Sequence, residues 1–122
     1  MIESAIHTIL ATDLGISQFV GTRIFPLELP LDCQLPALSF SKISNPYRQV
    51  VGTPRFQVSC WTKTYKQCLE LSQAVTTRLE GFSGSVDGII IERILPLDSQ
   101  DFYSADTGIF HIPLDFKIIY RK

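Results

Sequence analysis

The sequence predicts an α+β domain: a two-layer sandwich in which a mainly antiparallel sheet of about four strands carries two main helices on one face. Three observations predict it. The stretch GIFHIPLDFKIIYRK at the C-terminal end alternates, with Phe110, Ile112, Leu114, Phe116, Ile118 and Tyr120 on one side and His111, Pro113, Asp115, Lys117 and Arg121 on the other. That is the period of a β-strand. Tyr65, Cys68, Leu71, Ser72, Val75 and Leu79 form a stripe at helical spacing, with Lys66, Gln67, Glu70, Gln73, Thr77 and Glu80 opposite. Finally, the elements run helix, two strands, helix, two strands, an order that favours antiparallel pairing over a parallel sheet with crossover helices.

Each element has its own signal. Ile2, Ala5, Ile6, Ile9 and Leu10 predict an amphipathic helix as far as Asp13, closed by Gly15, with His7 and Glu3 paired on its wet face. Ile16, Phe19 and Val20 make a further helical turn, and a proline-bounded loop runs from Pro26 to Pro36. ALSFSKIS, Ala37 to Ser44, reads as a half-buried strand. RFQVSCW repeats the pattern, with Phe56, Val58 and Cys60 facing in and Gln57 and Ser59 facing out, so the two form an antiparallel pair. NPYRQVVGTP joins them. Thr64 and Gln67 have capping-box spacing at the start of the main helix, and Gly81 stands where a glycine follows a helix end. GFSGSVDG then reads as a turn, GIIIERILPL as the third strand, and DSQDFYSADTG as the connection to the terminal strand.

The 122 residues make one domain, 1–122, large enough to bury a core without a metal or a disulfide. A net charge of −1 and a pI of about 6.1 predict no strong attraction to nucleic acid or to anionic lipid, and little repulsion against self-association. The eleven basic residues are dispersed, which argues against sequence-specific duplex binding. No apolar run approaches the length of a membrane span, and MIESAIHTIL lacks the basic region of a signal peptide. Cys33, Cys60 and Cys68, odd in number and without paired spacing, read as reduced, buried, small apolar residues.

Catalytic and metal motifs are wanting. GFSGS resembles a nucleophile elbow but ends in Ser and follows a helix where an elbow follows a strand, so it reads as a turn. Asp98, Asp101 and Asp106 crowd one loop without the spacing of a calcium-binding loop, and no phosphate-binding glycine motif occurs. The expectation is a chain with no catalytic residues, no cofactor and no metal. A small hydrolase or a ligand-binding α+β domain is the alternative from another class, and it requires a pocket joining His111 to a carboxylate and a nucleophile.

Four stretches taken together, FVGTRIFPLELP behind the first helix, LPALSFSKIS, RFQVSCWTKTYKQCLELSQAVTTRLEG and DFYSADTGIFHIPLDFKIIYRK, resemble the tail-completion family of long-tailed bacteriophages and prophages, small proteins grouped with tail terminators. The resemblance runs nearly end to end. Its most specific parts are Cys60, Trp61, Thr64 and Tyr65, and the Tyr103, Asp106, Thr107, Gly108, Leu114, Asp115, Phe116 pattern; the loop from Ser44 to Thr53 is the least alike. The resemblance implies a structural protein of the virion, assembled in the host cytoplasm: a ring, usually a hexamer, that caps the tail tube at its head-proximal end and meets the neck or connector. A head-completion or neck protein is the nearer alternative.

A ring joins copies through two different surfaces. The candidate interface residues are Tyr47, Arg48, Val50 and Val51 in the loop, and Trp61, His111, Pro113, Asp115 and Lys117 on the sheet. Tyr47, Val50 and Val51 either contact a partner or roof the core. Trp61 either anchors an interface or packs beside the start of the following helix. Pro113, which has no N–H, fits an edge strand whose open side carries His111, Asp115 and Lys117, or else a bulge within a central strand.

Overall fold

The computed structural model describes residues 1–44 and 51–121. Its helices are α1 (Ile2–Ala11), α2 (Leu14–Val20) and α3 (Tyr65–Leu79). The strands are β1 (Ile24–Pro26), β2 (Ala37–Ser44), β3 (Val51–Gly52), β4 (Arg55–Thr62), β5 (Gly84–Val86), β6 (Ile89–Ser99), β7 (Phe102–Ser104) and β8 (Ile109–Arg121). The α+β class holds, but the expected sandwich of four strands and two helices is overturned. Eight strands form one curled sheet of order β1-β2-β4-β8-β6-β5, with β3 and β7 also paired to β8, and there are three helices among the described residues. The sheet is mixed, since β1 runs parallel to β2 while the other pairs are antiparallel.

The additional strands follow from the length of β8. Its 13 residues are enough to pair with two segments on each side. Val51↔Arg121 and Gly52↔Tyr120 share one register with Arg55↔Lys117, so β3 and β4 are a single line interrupted at Thr53 and Pro54. On the other side Ser99↔Leu114 and Phe102↔His111 also share a register, so β6 and β7 are one line interrupted at Gln100 and Asp101. The segment DSQDFYSADTG, expected as a connection, therefore supplies β7. The turn reading of GFSGSVDG likewise missed β5, although Asp87-Gly88 is the dipeptide that a two-residue hairpin favours. Both residues adopt positive φ, 51° and 77°, as such a turn requires.

Helix ends are set by side chains. Thr64 Oγ1 accepts the Gln67 N–H at 3.2 Å and starts α3. Asp13 Oδ2 accepts the Ile16 N–H at 3.1 Å and starts α2, so Gly15 lies inside α2 instead of closing α1. Glu3 is paired with Lys42 at 2.8 Å, not with His7, and that contact holds its carboxyl below the ordinary range. Helix α1 touches both β1 and β5, and Thr8 Oγ1 donates to Asp87 Oδ2 at 2.8 Å. The two ends of the sheet thus curl round α1. Two register shifts in β6, at Glu92 and at Leu97, bend that strand in support of the curl.

One face of the sheet forms the core. Phe56, Val58 and Cys60 from β4 and Ile112, Leu114, Phe116 and Ile118 from β8 meet the stripe Cys68, Leu71, Val75 and Leu79 of α3, with Ile6, Ile9 and Leu10 of α1 beside it. Burial raises the Cys60 thiol well above its ordinary range, and raises Cys68 less, consistent with both acting as small apolar groups; Cys33 is only half-buried.

Pro113 stands neither on an edge nor at a bulge in its own strand. The Ile118 N–H donates to Pro54 O at 3.0 Å, so the even-numbered amides of β8 point to the β3–β4 line and the odd-numbered ones to the β6–β7 line. Ile112, Leu114 and Phe116 therefore bond within the chain, as the edge reading required. His111, Asp115 and Lys117, however, face paired residues, Phe102, Asp98 and Leu95. The missing donor of Pro113 points at the gap between β6 and β7. A proline is tolerated mid-strand here because its neighbour's ladder is interrupted at the same level.

Candidate functional site

Alternation along β4 and β8 aims Gln57, Ser59, Trp61, His111, Pro113, Asp115 and Lys117 away from the helices, and β2 adds Ser39 and Ser41. Trp61 lies nearly flat on His111, with ring centroids 3.7 Å apart and an interplanar angle of 6°, while Phe102 packs against the other side of the imidazole at 5.9 Å. The indole Nε1 donates to Ser39 Oγ at 2.9 Å. Trp61 is thus a half-buried member of this face, with its polar edge satisfied.

Asp115 is held from two sides, by Gln57 Nε2 at 3.0 Å and Arg55 Nη2 at 3.1 Å. Asp98 is directly across the ladder from it, and Lys117 is directly across from Arg55. Like charges therefore face each other across both ladders, offset by the diagonal Arg55–Asp115 pair; Arg55 and Asp98 are exposed, Asp115 and Lys117 half-buried. A cleft of about 310 Å³ opens beside them, lined by Gln57, Asp98, Ser99, Gln100, Phe102, His111, Pro113 and Asp115. It holds an imidazole near two carboxylates, yet no Cys, Thr or Lys nucleophile lines it, and its one hydroxyl, Ser99, stands on the strand that carries Asp98. Among the described residues no group of three His, Cys, Asp or Glu side chains is placed to hold a metal, and no helix is long and apolar enough to cross a membrane.

His111 Nε2 is buried without a hydrogen-bond partner among the described residues, and burial lowers the imidazole from its ordinary value of 6.5. The unfolded chain then takes up this proton at a higher pH than the folded one. The stability tied to neutral His111 is complete above 6.5 and is lost as pH falls through the depressed folded value. Because the chain has one Trp, the emission of stacked Trp61 should change with a midpoint below 6.5. A fluorescence titration of the wild type and His111→Phe checks this, and a transition that survives the substitution assigns it to another group.

Of the other expected positions, Tyr47, Arg48 and Val50 lie outside the described residues. Val51 pairs with Arg121 through its backbone in β3. Sequence reasoning did not single out Arg55, Gln57, Ser39 or Phe102, which complete the face; the alternation that turned Gln57 outward was the available signal. Two further features are exposed. Tyr103 and Tyr65 both pack on Phe110, at 4.6 and 5.6 Å, and the Tyr65 hydroxyl donates to Asp101 Oδ2 at 2.5 Å, which raises the pKa of the phenol. An apolar groove of about 620 Å³ lies at the opposite end of the strands, between the start of α1, Pro26, Leu27, Phe40 and Phe56.

A family model described as Tail completion protein gp17 matches residues 4–121. Among solved structures, a chain of a particle described as "Virion of native gene transfer agent (GTA) particle" superposes with a TM-score of 0.80 at 15% identity, covering 99% of this chain and 95% of that one. Identity that low carries the fold alone. The curated proteins contain no match.

Proposed function

Since the chain belongs to the family Tail completion protein gp17, we propose that it forms a ring that caps the tail tube at its head-proximal end and offers its other surface to the neck. The protein is a structural component of a virion tail. The family match over nearly the whole chain carries the proposal. A net charge of −1 is compatible with self-association, because identical copies repel one another only weakly. The face around Trp61, His111, Pro113, Asp115 and Lys117 is half-buried and mixes stacked aromatic with charged side chains, a composition that suits a surface that meets a partner. On this reading the protein acts without catalysis and without a cofactor.

Light scattering of the purified protein with and without tail tubes tests the reading. The expected result is a monomer or weak associate alone and a ring in the presence of tube ends. A chain that stays monomeric and never binds tubes overturns it, and binding to purified connectors in place of tubes assigns a head-completion role instead.

A further inference from the structure

The two rings that clasp His111 are held with unequal strength. Trp61, 3.7 Å from the imidazole, belongs to β4, which is paired to β2 on one side and to β8 on the other, and its indole N–H is fixed on Ser39 Oγ. That side yields only if the middle of the sheet comes apart. Phe102, at 5.9 Å, belongs to β7, whose three residues are all exposed and pair with β8 alone among the described residues. The ladder is interrupted before β7, at Gln100 and Asp101, and a turn from Ala105 to Gly108 follows it. A short exposed strand between two breaks opens at far lower cost than the strands beneath it.

His111 Nε2, shut in by this clasp, has no hydrogen-bond partner among the described residues. A neutral ring tolerates that lack at modest cost, but a protonated one carries a charge and a donor on each nitrogen, which a buried site does not hold unpaired. Neither ring packed on the imidazole is charged. Asp98 of β6 and Asp115 of β8 line the same cleft, Asp115 being held by Arg55 and Gln57 of β4, while Asp101, just before β7, takes the Tyr65 hydroxyl of α3. None of these groups bonds to Nε2.

We propose that β7 is an acid-released latch: protonation of His111 drives Phe102 off the imidazole and parts β7 from β8, uncovering the β8 backbone from Ile109 to His111. The imidazolium stays on Trp61, the stronger cation–π platform of the two rings, and Nε2–H donates to water. Proton linkage sets the direction. His111 is neutral in the closed form and regains its ordinary value of 6.5 once Nε2 meets water, so the closed form is favoured in full above 6.5. Each pH unit below 6.5 then favours the open form by up to about tenfold, until the depressed value of the closed form is passed. The latch works within one copy and does not depend on the ring reading.

Hydrogen exchange on the purified protein at pH values on either side of 6.5, corrected for the intrinsic pH dependence of amide exchange, tests it. The amides of Phe102 and His111 face each other across β7 and β8, by the alternation that the Ile118 bond to Pro54 sets, and should lose up to about tenfold in protection per unit below 6.5. Those of Ile112 and Leu114, which face β4, should keep theirs. In His111→Phe, which retains an aromatic ring without a titrating group, protection at Phe102 should be flat with pH, and in Asp98→Asn, Asp101→Asn and Asp115→Asn it should fall as in the wild type. A fall that persists in His111→Phe, that disappears with one of the carboxylates, or that Ile112 and Leu114 share overturns the latch. So does a wild-type imidazole that titrates by NMR while the Phe102 amide stays protected, a comparison that needs no variant.

Discussion

Replacing Phe116 by Ala should destabilise the protein by about 3–5 kcal/mol, the largest effect expected of a single truncation here. Phe116 is 1% exposed, faces Phe56 of β4 across one ladder and Pro96 of β6 across the other, and belongs to the face on which α3 packs. A central strand has neighbours on both flanks and a helix above, so nothing is free to collapse into the space left behind. Folded proteins of this size have about 5–15 kcal/mol to lose. The loss should appear as a lower urea midpoint at nearly unchanged slope. A shift equivalent to less than about 1 kcal/mol would mean that the site relaxes and that the core is looser than its burial indicates.

Gly52→Ala should cost about 1–3 kcal/mol, through overpacking and not through backbone strain. A methyl group at Gly52 would overlap the Tyr120 ring, reaching Cζ at 2.7 Å and Cδ1 at 3.1 Å. Tyr120 is paired through its backbone to Gly52 on one side and to Ile91 of β6 on the other, so the ring relieves the overlap only by turning about its own side-chain bonds. A double-mutant cycle isolates the clash: Gly52→Ala should be nearly neutral when Tyr120 is also Ala. If the cost is the same in both backgrounds, the glycine is needed for some reason other than the ring above it.

Sequence periodicity determined the local elements. Helical spacing placed α1 and α3, a threonine cap placed the start of α3, and alternation assigned which side chains of β2, β4 and β8 face the helices and which turn away, including the outward turn of Trp61, His111 and Asp115, although Ser39 and Ser59 of the outer set are buried and not open. These are properties of a residue and its near neighbours, because the side-chain period of a helix or strand is local. The nearly end-to-end family resemblance was legible for the same reason: it is carried by the side chains themselves.

Tertiary structure alone decided where the strands went. Pro113 suggested an edge because proline lacks a donor, but whether a missing donor matters depends on what lies opposite, and the gap at Gln100 and Asp101 is set by a strand distant in sequence. Segments of two or three residues such as β1, β3 and β7 have no period long enough to detect, and they are strands only because β2 and β8 offer them backbone to pair with. The curl of the sheet likewise arises from contacts of α1 with both ends at once. Burial of His111 between Trp61 and Phe102, and with it the unpartnered Nε2, depends on three strands meeting in one register, a long-range arrangement that no local pattern encodes.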